Sequence, residues 1–144
     1  MKPTDKIYVA GHSGLVGSAV VRLLQTRGFG NLITRSRSEV DLRDERAVRD
    51  LFTEEKPELV ILAAARVGGI KANIDAPVEF LIENLQIQNK VIRAAHEAGA
   101  RKLLFLGSSC IYPKFGPQPI PEDALLSGAL EPTTKPMPLR KLRA

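Results

Sequence analysis

Lys6-Ile7-Tyr8-Val9-Ala10-Gly11-His12-Ser13-Gly14-Leu15-Val16-Gly17 carries an apolar strand straight into three glycines spaced three residues apart. Gly11 lets the backbone turn tightly off the strand, and Gly14 puts no Cβ where an anion would approach. Gly17 lets the next helix lie close to the sheet. The helix that starts here faces that space with N–H groups that lack intrahelical partners, the device that holds a pyrophosphate. Glycine turns also join strands to helices where no ligand binds, so the triplet is read with its surroundings.

Leu15, Val16, Ala19, Val20, Leu23 and Leu24 recur at helical spacing as the stripe of one helix. That helix is expected to end near Gly28, and Leu32-Ile33 is a second apolar run. Strand, helix and strand make a βαβ unit of about 30 residues. A second helix is expected from about Asp44 to Glu55, with Ala47, Val48, Leu51 and Phe52 inward, and Pro57 stops it. Residues 58–64 then form an unbroken apolar run, as a parallel strand covered on both faces requires.

A glycine-containing loop, residues 65–76, leads to a long helix from Pro77 to about Ala98. Val78, Leu81, Ile82, Leu85, Val91, Ile92 and Ala95 are its expected inner face, and Gly99 its end. Residues 102–107 read as a fourth buried strand that delivers Ser108-Ser109-Cys110 at its carboxyl end, where ligands of open α/β sheets bind. From Pro113 onward the texture changes, because seven of the ten prolines lie there and no periodic pattern persists. The fold class is therefore α/β: a Rossmann-type doubly wound parallel sheet, incomplete at its C-terminal side. Residues 1–112 are the partial dinucleotide-binding domain, and residues 113–144 a proline-rich loop and basic tail. Strand order 3-2-1-4 would leave the fourth strand unpaired, which predicts marginal stability and aggregation.

With 144 residues, 44% hydrophobic and 26% charged, the chain suits one ordinary globular domain. The formal charge of +5 is concentrated: Lys135, Arg140, Lys141 and Arg143 lie in the last ten residues, and removing those four leaves +1. The body is near neutral, so no nucleic-acid partner is expected. No apolar run approaches the ~20 residues of a membrane span and no signal stretch precedes the first strand, so no membrane partner and a cytoplasmic location are expected. The single Cys110 excludes an internal disulfide, and two histidines add too little for a metal site. His12 and His96 read as structural.

NAD-specific proteins of this fold place an acid near the end of the second strand to bind the ribose hydroxyls. Here Arg35 and Arg37 stand in that region, and a guanidinium matches the 2′-phosphate of NADP(H), the expected cofactor. Solvated surface arginines are the bland alternative. Ser13, Leu15 and Val16 join the three glycines around the pyrophosphate. Asp41 and Leu42 would meet the adenine, and Ala63 and Ala64 offer small residues where the cofactor crosses the third strand; helix capping and strand packing explain them equally well. Leu106 and Ser109 complete the cofactor set at the fourth strand. Ser108 and Cys110 are the candidates for chemistry, the serine as hydrogen-bond donor and the thiol as acid-base group, although an inert thiol also fits Cys110.

Three segments carry a more specific likeness: Ala10-Gly11-His12-Ser13-Gly14-Leu15-Val16-Gly17; Ala63-Ala64-Ala65-Arg66-Val67-Gly68-Gly69-Ile70 with Ala72-Asn73; and Gly107-Ser108-Ser109-Cys110-Ile111-Tyr112-Pro113. With these, residues 6 to about 133 resemble the extended short-chain dehydrogenases of the NAD-dependent epimerase/dehydratase family. Within it the likeness is to the NADPH-dependent 3,5-epimerases and 4-reductases acting on GDP-4-keto-6-deoxymannose. The resemblance implies a nucleotide-sugar substrate and a homodimer for the full-length family. It implies Cys110 as the base for the protons beside the C4 ketone and Ser108 as the donor to the C4 oxygen. Ser13 departs from the basic residue that relatives often carry near the 2′-phosphate.

The family's Tyr-x-x-x-Lys should begin near position 137, where this sequence reads Met137-Pro138-Leu139-Arg140-Lys141. One choice of synonymous codons for residues 136–144, shifted by two bases, reads Tyr-Ala-Ile-Ala-Lys-Ala-Ala-Gly. A frameshift near residues 133–135 is the expected origin of the tail, and a truncated chain of poor or no activity the expected consequence; DNA sequence across this point tests it. Another nucleotide-sugar branch, such as a 4-epimerase, and a non-catalytic NADP-binding module are the competing readings. Assays with several 4-keto sugars separate the first, and tight NADPH binding without turnover marks the second.

Overall fold

Four apolar runs become the strands of one parallel sheet: β1 Ile7–Ala10, β2 Leu32–Ile33, β3 Leu59–Leu62 and β4 Lys102–Phe105. Between them lie α1 Leu15–Thr26, α2 Glu45–Glu55, the short α3 Ile70–Asp75 and the long α4 Pro77–Glu97. The computed structural model describes residues 1–129, without the side chains of Ile70 and Cys110. The basic tail, the position expected for Tyr-x-x-x-Lys and the segment assigned to a frameshift lie outside the described residues.

The sheet order is β2-β1-β3-β4, which corrects the expected 3-2-1-4. Burial gives the reason. Every residue of β1 and of β3 is buried, so these two strands must be covered on both faces and on both edges, and they pair in the centre. The two residues of β2 suffice only for one flank, beside Ile7 and Tyr8. Alternation along β1 then sorts the core. Ile7 and Val9 pack with Leu59, Ile61, Leu24 and Val20 on the α1 face. Tyr8 and Ala10 pack with Val48, Leu51, Phe52, Val91, Ala94 and Ala95 of α2 and α4 on the other. Tyr8 and Phe52 meet edge to face, ring centroids 5.7 Å apart, and burial pushes the Tyr8 phenol up to about 12.

β4 has the unpaired outer edge expected of it, and with that edge open it is less buried than its apolar run suggests. Leu104 and Phe105 remain about half exposed, at 48% and 46%, because β4 pairs with β3 on one edge and with no strand on the other among the described residues. The helical stripes also turn. In α1, Leu24 is buried and Val20 and Val21 pack on the sheet, while Leu15, Val16 and Leu23 are exposed. In α4, Val78, Ile82, Leu85 and Ile92 face out, and Glu83 and Asn84 are more buried than the apolar residues on either side of them.

Two compact units result. The first comprises Met1–Arg66 and Glu83–Leu106 and contains the whole sheet. The second comprises Val67–Ile82 and the described residues from Gly107. In the second unit Asn73 donates to the carbonyls of Gly68 and Gly69 at 3.0 Å each, and Phe80 lies so close to Gly68 that a Cβ there would come within 2.8 Å of its ring. From Gly107 onward its regular structure among the described residues is two short turns, Ser109–Ile111 and Glu122–Ala124.

Candidate functional site

The strand-to-helix turn of the first unit is built by close backbone approach. Gly11 has φ +83°, and a Cβ on it would lie 2.7 Å from the Ala64 nitrogen; one on Gly17 would lie 2.0 Å from the Gly11 carbonyl oxygen. Gly14 is different, because a Cβ there would meet only that same oxygen, at 3.4 Å, and otherwise open space. The turn closes with Gly14 N–H donating to Gly11 O at 3.0 Å and Ser18 N–H to Gly14 O at 2.9 Å. No side chain caps α1, and its first turn carries no acid. The N–H groups of the first turn of α1 therefore meet no capping side chain and carry the positive end of the helix dipole, a setting that suits a pyrophosphate. Ser13 and Leu15 are exposed on its rim. Next to Gly11 in sequence, His12 Nδ1 is buried with no hydrogen-bond partner.

The structure brings Ala63 and Ala64 directly against this turn: Ala63 N–H donates to Ala10 O at 3.0 Å, and both residues border the space a Gly11 Cβ would need. Asp41 does not cap α2, since Asp44 does so by accepting from the N–H groups of Arg46 and Ala47 at 2.8 and 3.3 Å. Asp41 is instead gripped by Arg43, whose Nε and Nη2 donate at 3.0 and 2.7 Å while its N–H donates at 2.9 Å. Those bonds hold the Asp41 carboxyl at about 2. Leu42, between them, packs partly buried against the core.

The two arginines part company. Arg37 is exposed. Arg35 donates to the Thr34 carbonyl at 2.9 Å and pairs with Glu55 at 2.5 Å, and Glu55 also holds Lys6 at 2.8 Å. Lys6, with Arg35 beside it, keeps the Glu55 carboxyl below the usual range. Arg35 is thus tied to the last residue of α2. An acid also stands near: Glu39 accepts from the Ser36 hydroxyl at 2.6 Å and from its N–H at 2.7 Å, which lower its pKa.

Leu106 N–H extends the β4 ladder by donating to Leu62 O at 3.2 Å, and its side chain is partly exposed. Ser108 and Ser109 belong to the second unit and are exposed; Ile111 N–H donates to Ser108 O and Tyr112 N–H to Ser109 O, at 3.3 and 3.1 Å, closing a turn through Cys110.

Sequence reasoning missed a polar chain on α4. Asn84 accepts from Arg66 N–H at 2.7 Å and donates to Arg66 O at 3.0 Å. Glu83 pairs with Arg66 at 2.5 Å and with Arg43 at 3.2 Å. The signal for them was present as two polar residues in register with Phe80, Ile87 and Val91, but an apolar stripe through Ile82 and Leu85 outvoted it.

A family model described as the NAD dependent epimerase/dehydratase family matches residues 7–144. GDP-L-fucose synthase 1 of Arabidopsis thaliana is 61% identical over 130 residues, covering 90% of this chain and 40% of that protein. GDP-L-fucose synthase of Escherichia coli K12 is 50% identical over 138 residues, covering 96% of this chain and 43% of that protein. The solved GDP-mannoheptose C4 reductase MlghC of Campylobacter jejuni with NADP bound superposes with a TM-score of 0.89 at 41% identity, covering 99% of this chain and 45% of that one. The chain spans about two fifths of the length of the curated relatives it matches.

Proposed function

We propose, of a chain that belongs to the NAD dependent epimerase/dehydratase family, that it binds NADP(H) at its glycine turn and carries part of the catalytic apparatus of a GDP-L-fucose synthase. The observation that carries this reading is the turn itself: open at Gly14, backed by an uncapped helix N-terminus and closed on one side by Ala63 and Ala64. Its lack of acid suits the pyrophosphate. Gly11, Ser13, Gly14, Leu15, Val16 and Gly17 hold the phosphates, Asp41 and Leu42 the adenine, and Arg37 and Arg35 the 2′-phosphate; Arg35 must loosen its pair with Glu55 to do so. Leu106 and Ser109 line the cofactor farther along. Residues 1–112 form the cofactor-binding part.

The proposed substrate is GDP-4-keto-6-deoxy-D-mannose. Protons at C3 and C5 are acidic because the electron pair left behind delocalises onto the C4 oxygen. Cys110 as thiolate would remove them, Ser108 would donate a hydrogen bond to the C4 oxygen as charge gathers there, and a second acid on the opposite face of the sugar, contributed from outside the described residues, would protonate each carbon and so invert it. NADPH, when bound, supplies the hydride that reduces C4 and yields GDP-L-fucose. A cytoplasmic location and a homodimer at the relatives' full length belong to the same proposal.

Calorimetric titration of the 144-residue chain with NADPH and NADH tests the cofactor: NADPH is expected to bind about tenfold tighter or better, as loss of a charge-assisted phosphate contact would cost. No NADPH binding sinks the reading. Exchange of the C3 and C5 protons in D2O, followed by NMR, tests the chemistry at the relatives' full length, where Cys110→Ser is expected to stop exchange and Ser108→Ala to slow it. The likeness to a GDP-mannoheptose C4 reductase favours a second reading, reduction of a different GDP-4-keto sugar, which the same NMR assay separates with a panel of sugars.

A further inference from the structure

The polar chain on α4 runs between the two loops that the proposed cofactor contacts occupy. Asn84 uses both ends of its amide on one residue, taking the N–H of Arg66 at 2.7 Å and giving to its carbonyl at 3.0 Å across 18 residues of sequence. A single side chain thereby satisfies both backbone groups of a loop residue that has left β3 and its ladder. Glu83, 22% exposed, divides its carboxylate: Oε1 takes the Arg66 guanidinium at 2.5 Å and Oε2 that of Arg43 at 3.2 Å. Arg43 in turn grips Asp41 through its Nε and Nη2, and Lys90, two turns farther along α4, donates to the Arg43 carbonyl. Residues 41–43 and 63–66 are therefore both moored to α4, and the second of these loops is the wall on which the Gly11 turn rests.

We propose that Glu83 and Asn84 are positioning residues for the dinucleotide, holding the loops at residues 41–43 and 63–66 at the spacing the cofactor requires. The inference rests on the reading that this chain binds NADP(H). Neither residue need touch the cofactor. Their effect is preorganisation: with the mooring cut, the loops sample other positions and binding must reorder them. Glu83 matters as a bridge, because its two acceptor oxygens and negative charge let one side chain tie the Arg66 guanidinium to that of Arg43, which Asp41 also holds.

The test measures NADPH affinity of the full chain together with amide exchange of the cofactor-free protein, for the unsubstituted chain, Glu83→Gln and Asn84→Ala. In Asn84→Ala the Arg66 amide is expected to lose its protection while the β1 and β3 amides keep theirs, and the NADPH Kd to rise about tenfold, the size of a lost hydrogen-bond pair. Glu83→Gln keeps shape and one acceptor but removes the shared charge; it is expected to raise the Kd about threefold with a fall of no more than a few degrees in melting temperature. That readout stands if Asn84→Ala fails to fold. Unchanged affinity in Glu83→Gln, or in an Asn84→Ala chain whose Arg66 amide has opened, overturns the proposal and leaves a purely structural contact. An unsubstituted chain that binds no NADPH, with its Arg66 amide protected, sinks the cofactor reading and the inference that depends on it.

Discussion

In the unit formed by Met1–Arg66 and Glu83–Leu106, the two central strands are buried at every residue; in Val67–Ile82 and the described residues from Gly107, Phe80 and Ala124 are the buried side chains. The proposed cofactor contacts up to Leu106 belong to the first region and the proposed chemistry to the second. The difference teaches that the proposed binding and the proposed catalysis would rest on different physics. A cradle set on a two-faced core is preorganised by packing that the sequence supplies locally and in bulk. A turn such as Ser109–Ile111, held by a few backbone bonds among exposed residues, has little core of its own.

The contrast is broken or sharpened most strongly in the core. Phe52→Ala removes the ring that meets Tyr8 edge to face and is expected to cost about 4 kcal/mol, read from denaturant unfolding. Next comes Gly17→Ala, whose new methyl would sit 2.0 Å from the Gly11 oxygen; about 3 kcal/mol and loss of NADPH binding are expected. A Gly17→Ala chain that binds NADPH normally would show that the turn is not the cradle. Phe80→Ala probes the second region, where about 2 kcal/mol is expected because fewer buried groups surround it. A cost equal to that of Phe52→Ala would erase the distinction between the regions.

The smallest effect is electrostatic. The Asp41 carboxyl, at about 2 in the folded chain against an ordinary 3.8, is favoured in its ionised form by folding. Its contribution is complete above about pH 4 and is lost as pH falls through about 2. With both partners about one third exposed, the difference between the unsubstituted chain and Asp41→Asn is expected to stay under about 1 kcal/mol at neutral pH. Melting curves against pH should show it vanish toward pH 2, and a difference that persists there would place its origin elsewhere.

Much of the first region was legible. The glycine step, the buried third strand, the caps near Gly28 and Gly99 and the α/β class all follow from local pattern. Asp41 was read as a possible cap because it precedes a helix, yet Asp44 holds that post, and only the Arg43 grip explains Asp41. Arg35 and Arg37 looked equivalent in sequence; the pairing of Arg35 with Glu55, twenty residues away, separates them. The stripe of α4 differs from its apolar pattern, which makes Ile82 and Leu85 inward, because two bonds to one backbone residue turn Asn84 in their place.

By itself the sequence determined the four strands, the helices α1, α2 and α4 and where the glycine turn lies, because each of these depends on steric and periodic properties of neighbours along the chain, whereas α3 at Ile70–Asp75 falls in the segment 65–76 that reads as loop. Strand order, the mooring of two loops to α4 and the pairing of Arg35 with Glu55 were decided only in the tertiary structure. Those outcomes are competitions among groups distant in sequence, and the winner is whichever pairing buries apolar surface while leaving fewest polar groups without a partner.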